Sequence, residues 1–214
     1  EVADISNVGA DGKLLPVDSK AMKYRDANEM WHSDSSFKSV PAKASLLSAR
    51  EVPPVEGDTE FASMRAAYAA LSPETRARIE NLVAIHSYTY SRGLVDPNLF
   101  TPEQAAQVPP VRQRLVRVNP KNGRRALYVG SHASHVEGMP LEESRRMVQE
   151  LLASATRPEF VYRHHWRQFD LVIWDNRAAV HRGCGWDKTR YRRIMHRTTV
   201  AGERSSLDEV MQPA

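Results

Sequence analysis

Apolar positions fall into short runs divided by proline and glycine, with no long repeat. Ser45 to Val52, Leu115 to Val118, Ala126 to Val129, Leu171 to Trp174 and Arg193 to Val200 read as short β segments, and Val2 to Ile5 is strand-like as well. Val52-Pro53-Pro54, Val108-Pro109-Pro110 and Asn119-Pro120-Lys121-Asn122-Gly123 break these runs and predict loops or turns. Helical spacing shows in two places. Ser72 is an N-cap candidate before Pro73, followed by Ile79, Leu82 and Val83; beyond Pro140, Leu141, Val148, Leu151 and Leu152 form one stripe. Short strands outnumber helices and do not alternate with them. That predicts a mainly β fold with flanking helices, an antiparallel sandwich or barrel, and argues against a doubly wound parallel sheet.

Composition narrows the class. With 41% hydrophobic and 26% charged residues in 214, the chain has the balance of a globular protein and a length that favours one domain. Its 30 Lys+Arg against 26 Asp+Glu leave a net charge of +4, spread along the chain apart from Arg190 to Arg197, so nucleic acid is not an expected partner. The lone Cys184 excludes an internal disulfide and is compatible with a reducing compartment, which makes the cytoplasm the expected location. No apolar run approaches the roughly 18 residues of a membrane span, and the first residues lack the form of a signal peptide. The chain opens at Glu1 without methionine and enters a strand almost at once, so upstream sequence is expected.

Three stretches carry candidate chemistry. In Trp31-His32-Ser33-Asp34, an extended backbone returns side chains to one face every second residue, so His32 and Asp34 would project together. A His-x-Asp triplet alone is common by chance, and a third ligand would have to come from elsewhere. Asp170 to Asn176 reads as a buried strand running into a turn, with His181 just beyond as a candidate third ligand. In Arg193-Ile194-Met195-His196-Arg197, period two sets Arg193, Met195 and Arg197 on one face. Inward-facing guanidinium groups need anions, which a dicarboxylate and an acidic substrate would supply. An edge strand with both arginines in solvent fits the same pattern.

These stretches, with Gly57-Asp58-Thr59-Glu60-Phe61, His132-Ala133-Ser134-His135-Val136-Glu137-Gly138 and His181-Arg182-Gly183, resemble the taurine dioxygenase-like family of Fe(II)- and 2-oxoglutarate-dependent dioxygenases in order and spacing. The resemblance covers essentially the whole chain. Within the family it points to the branch acting on aryloxyalkanoates such as 2,4-dichlorophenoxyacetate, through Asp4 to Val8, Thr59 to Tyr68 and Glu159 to His164. It implies a double-stranded β-helix, or jelly roll, with residues 1–214 as a single catalytic domain lacking its N-terminal portion. It makes His32, Asp34 and His181 the ligands of Fe(II), and Thr59 and Arg193 the partners of the distal carboxylate of 2-oxoglutarate, with O2 as the third reactant. Arg192 would replace Arg193 if the loop after His181 shifts the register by one. Arg197 and Asn28 fall at positions near the substrate, which would be a small anionic aromatic molecule. A homo-oligomer is expected. Alternatives are a hydroxylase of taurine or another small sulfonate or acid, and a non-catalytic metal-binding jelly roll.

The remaining candidates have plainer readings. His132 and His135 would shape a loop near the pocket, His164 and His165 would be structural, and His86 would sit at the C-terminal end of the Ser72 helix. Cys184, three residues after His181, invites a ligand hypothesis that would suit zinc better. Trp31 and Trp174 read as packing residues.

Overall fold

The computed structural model describes residues 2–209. Its strands are β1 (Ala3–Ser6), β2 (Ala42–Glu51), β3 (Thr59–Ser63), β4 (Val83–His86), β5 (Val111–Arg114), β6 (Val116–Val118), β7 (Arg125–Leu127), β8 (Ala133–Val136), β9 (Val161–His164), β10 (Leu171–Asp175), β11 (Ala179–Gly183) and β12 (Ile194–Ala201). The helices are α1 (Lys20–Asp26), α2 (Met64–Ala69), α3 (Pro73–Ile79), α4 (Tyr88–Gly93), α5 (Pro102–Ala106) and α6 (Leu141–Ala155). The fold is mainly β, and every strand pairing among the described residues is antiparallel.

Two sheets frame the functional region. One runs β1-β12-β2-β10 and the other β11-β3-β9. Alternation along β2 buries Ser45, Leu47 and Ala49, and these meet Trp174 and Met195, with Phe61 and Trp166 packed against the cluster. The second core lies beyond β3 and β11, where Ala62 and Val180 pack with Met64, Ala67, Met147, Val148 and Leu151 from α2 and α6. Full burial of each valine, leucine or methionine side chain here contributes about 1.5–3 kcal/mol, and of each alanine less. A register shift in the β12–β2 ladder pairs Ile194 with Glu51 but Met195 with Ala49, leaving Arg50 as the extra residue.

Both predicted helices form, with altered limits. Ser72 caps α3 through its hydroxyl, which accepts from Thr75 N, and Pro73 takes the first position. The helix stops at Ile79, however, and Val83 starts β4 because Val83-Ala84-Ile85-His86 pairs on both sides with β5 and β8. In α6 the buried stripe is Ser144, Met147, Val148, Leu151 and Ala155, whereas Leu141 in the first turn is exposed.

His86 is therefore not a helix-terminal residue. It is buried at the end of β4, with Nδ1 3.0 Å from Ser36 Oγ and its ring stacked on Tyr128 at 5.3 Å. Burial pushes its pKa down to about 3. The folded chain thus keeps His86 neutral where an unfolded histidine takes up a proton, below about 6.5. The unfolded state binds more protons, so stability falls as pH drops from about 6.5 toward 3, by up to roughly 1.4 kcal/mol per pH unit for this residue. Urea titrations between pH 7 and 5 should show this slope, and His86→Phe should flatten it by about one proton. An unchanged slope would refute the assignment.

Candidate metal centre and active site

The site grows from a short cross-link between two distant segments. His32 N–H donates to His181 O at 3.0 Å and His181 N–H returns to His32 O at 2.8 Å, an isolated antiparallel bridge at the edge of β11. Of the pair His32 and Asp34, only His32 is in this bridge. After Ser33 the chain enters a turn in which Ser35 adopts φ 56°. Behind the bridge Gly130 has φ +153°, and a Cβ there would lie 3.1 Å from Trp31 O and 3.2 Å from His32 Cα. This approach also brings Ser131 N–H to Trp31 O at 2.8 Å.

His32, Asp34 and His181 converge, with one ligand atom from each lying within 4.8 Å of the others. Asp34 Oδ1 is 4.0 Å from His32 Nε2 and its Oδ2 is 3.8 Å from His181 Nε2. All three side chains are buried. His32 Nδ1 faces Met30 O at 2.8 Å, which makes Nδ1 the protonated nitrogen and leaves the Nε2 lone pair toward the cluster. Trp174 and Phe61 pack on the His181 ring, whose Nδ1 is buried without a partner.

Electrostatics fit a cation. Burial depresses the pKa of both imidazoles, that of His181 to about 3, so they are neutral donors near neutrality. Burial alone would raise the pKa of Asp34, but His181, Arg197, His32 and the Ser45 hydroxyl bring it down to about 2. Two neutral imidazoles and one carboxylate, buried together with coordination positions left over, are the donor set of mononuclear non-haem iron oxygenases.

Asp34 is positioned by a buried network that sequence reading did not assign. Ser45 Oγ donates to Asp34 Oδ2 at 2.6 Å, and Asn176 Nδ2 donates to Ser45 Oγ at 2.7 Å. Asn176 Oδ1 accepts from Asp34 N at 3.2 Å and from Trp174 Nε1 at 3.0 Å. Nothing in the sequence around Ser45 marks a serine on the inward face of β2 as special.

Two cavities adjoin the triad. A small one of about 60 Å³ is lined by Thr59, His181, Arg193 and Arg197 among others. Arg193 is buried; its Nε donates to Gly57 O at 2.9 Å and its Nη2 lies 3.5 Å from Thr59 Oγ1. Burial lowers its pKa to about 10, which leaves it charged at neutral pH. Trp166 Nε1 also donates to Thr59 Oγ1, at 2.9 Å. Arg192 instead points outward, to Glu51 and Gly12 O. The larger cavity, about 350 Å³, is lined by Asn28, His32, Asp34, Tyr88, His132 and Arg197 among others. Arg197 Nη1 donates to Asp34 Oδ1 at 2.7 Å.

Other candidates fall outside this cluster. Cys184 is half-buried, with its N–H on Asp58 O, and does not join the ligand group. His164 pairs with Asp170 and His165 with Asp58. His132 reaches the larger cavity, whereas His135 bonds Ser134 on β8.

The chain belongs to the taurine catabolism dioxygenase TauD, TfdA family, whose model matches residues 6–199. It is 45% identical over 207 residues to an alpha-ketoglutarate-dependent 2,4-dichlorophenoxyacetate dioxygenase of Burkholderia sp. (strain RASC), spanning 97% of this chain and 69% of that relative. To the enzyme of the same description from Cupriavidus pinatubonensis it is 47% identical over 200 residues, 94% of this chain and 70% of the relative. Among solved structures it resembles AAD-2 in complex with Mn(II) and N-oxalylglycine, with TM-score 0.93 and 49% identity over 96% of this chain and 75% of that one.

The network makes a specific prediction. Asn176→Ala removes three buried hydrogen bonds worth about 1 kcal/mol each and strands the Asp34 backbone N–H and Trp174 Nε1–H, so it should cost about 2–4 kcal/mol in urea unfolding. It should also weaken Mn(II) affinity, read by electron paramagnetic resonance. Full stability with unchanged Mn(II) binding would show that the network does not hold the carboxylate.

Proposed function

We propose that the chain is the catalytic domain of an Fe(II)- and 2-oxoglutarate-dependent dioxygenase acting on an aryloxyalkanoate such as 2,4-dichlorophenoxyacetate. The carrying observation is the buried triad flanked by two cavities, each with an inward-facing guanidinium. In this reading His32, Asp34 and His181 hold the iron, and the two facing sheets form the double-stranded β-helix around it. Bound iron supplies the oxidising chemistry that couples decarboxylation of 2-oxoglutarate by O2 to insertion of one oxygen atom into a substrate C–H bond.

The protein's own part is positioning and charge. Arg193 and the Thr59 hydroxyl take the distal carboxylate of 2-oxoglutarate; Trp166, by donating to Thr59 Oγ1, leaves that hydroxyl's proton free to point at the ligand. Arg197 and Asn28 line both cavities, on the side where the substrate's acid group would approach. Hydroxylation next to the ether oxygen yields a hemiacetal that breaks down to a phenol and glyoxylate, with succinate and CO2 as co-products. A cytoplasmic, self-associating protein belongs to the same reading, supported by the free Cys184 thiol and by Leu171 and Ile173 exposed on β10.

Succinate should form with 2,4-dichlorophenoxyacetate only when Fe(II), 2-oxoglutarate and O2 are all present, and His32→Ala should abolish it. Turnover with taurine alone would instead place the chain among the sulfonate hydroxylases. Arg193→Met should raise the KM for 2-oxoglutarate by roughly ten- to a hundredfold while leaving Mn(II) affinity in place. If Arg192→Met did so instead, the register would be wrong by one residue.

A further inference from the structure

Three guanidinium groups line the larger cavity, and they differ in what neutralises them. Arg197 is committed to Asp34 at 2.7 Å. Arg25 lies in the field of Asp4, another lining residue. Arg92, on α4, is 7% exposed, and no carboxylate among the described residues lies within ion-pairing distance of it. Its Nη2 makes one long bond, 3.4 Å, to Asn28 Oδ1; its guanidinium lies 4.7 Å from the Tyr88 ring centre; and its Nε is buried without a partner.

Such a charge is expensive to leave unanswered. Taking a cation out of water carries a desolvation penalty that a single cation–π contact and a long amide bond offset only in part. The deficit is removed if a ligand brings the missing anion. The site is built for one: Asn28 and Tyr88 fix the guanidinium from two sides, and the cavity it lines reaches His32 and Asp34.

We propose that Arg92 binds the anionic group of the primary substrate and selects acids over neutral aryl ethers. This rests on reading the larger cavity as the substrate site. Arg197 then acts chiefly on the charge of Asp34, and the carboxylate of an aryloxyalkanoate lies against Arg92 and Asn28. No motif or spacing in the sequence singles out Arg92.

The test compares phenoxyacetate with phenoxyacetamide, which share the ring and ether but differ in charge. Equilibrium titration of the full chain should show preference for the acid. Arg92→Met should lose affinity for the acid by roughly ten- to a hundredfold and leave the amide within about threefold, with Arg92→Lys in between. Equal loss for both ligands, no loss for the acid, or no preference in the unmodified chain would overturn the assignment. Should Arg92→Met fail to fold, Asn28→Asp sets a fixed carboxylate against the guanidinium and should reduce affinity for the acid alone; unchanged affinity would overturn it equally. The outcomes separate the two readings. If no aryloxyalkanoate is oxidised but Arg92→Met still erases acid preference, the proposed activity fails and the Arg92 assignment stands. Oxidation with acid preference intact in Arg92→Met gives the reverse.

Discussion

Everything in this site depends on keeping one carboxylate ionised where there is almost no water. Asp34 is 4% exposed, and an isolated buried carboxylate would protonate rather than carry the cost of its charge. Its surroundings prevent that. Ser45 and Arg197 take one oxygen each, and the backbone N–H of Asp34 is held by Asn176. These groups come from β2, β12 and the turn after β10, so the charge state of one side chain relies on the whole β12-β2-β10 arrangement being in register. A slip of one residue in β2 would turn Ser45 outward and put Leu46 against the carboxylate.

The same strand pairing explains why the cations face inward. Met195 is fully buried between the sheets, and period two carries Arg193 and Arg197 to its side of β12. The irregularity at Arg50 lets the ladder absorb an extra residue where β2 leaves the sheet, so Glu51 meets exposed Arg192 while Arg193 turns into the interior. Gly57 supports that turn. With φ +71° it presents its carbonyl to Arg193 Nε, and a Cβ there would come within 2.7 Å of Pro53 Cγ.

Legibility in the sequence followed the range of the interactions. The β-rich character, the Ser72 cap and the shared face of Arg193, Met195 and Arg197 were readable because each rests on local periodicity or a local hydrogen bond; whether that face turned inward was not. The convergence of His32 with His181 was not, since 149 positions separate the members of a reciprocal backbone bridge that no spacing encodes. Resemblance to a family supplied that pairing. His86 was misplaced because a helical rhythm through Ile79, Leu82 and Val83 continues past the point where tertiary pairing with β5 and β8 takes over. The roles of Ser45, Asn176 and Arg92 were not readable for a related reason, although Asn176 lay in a stretch that carried the resemblance: each is an ordinary residue until partners far along the chain close around it.

In the proposed function, the charges would let two acidic ligands share one site without competing for the same arginine. Arg193 and Arg92 are both more than nine-tenths buried, and neither has an ion-pair partner among the described residues. They belong to different cavities whose shared lining includes Ile5, Asn28, His32 and Arg197. Arg197, already drawn to Asp34, stands between them as a poorer partner for either ligand, because part of its attraction is spent. In the proposed function a dicarboxylate would be steered to the smaller cavity by Arg193 and Thr59, and a bulkier acid to the larger one by size as well as by charge. Burial makes that separation workable: on an exposed surface these cations would be screened within about 8–10 Å, whereas buried charges are screened much less.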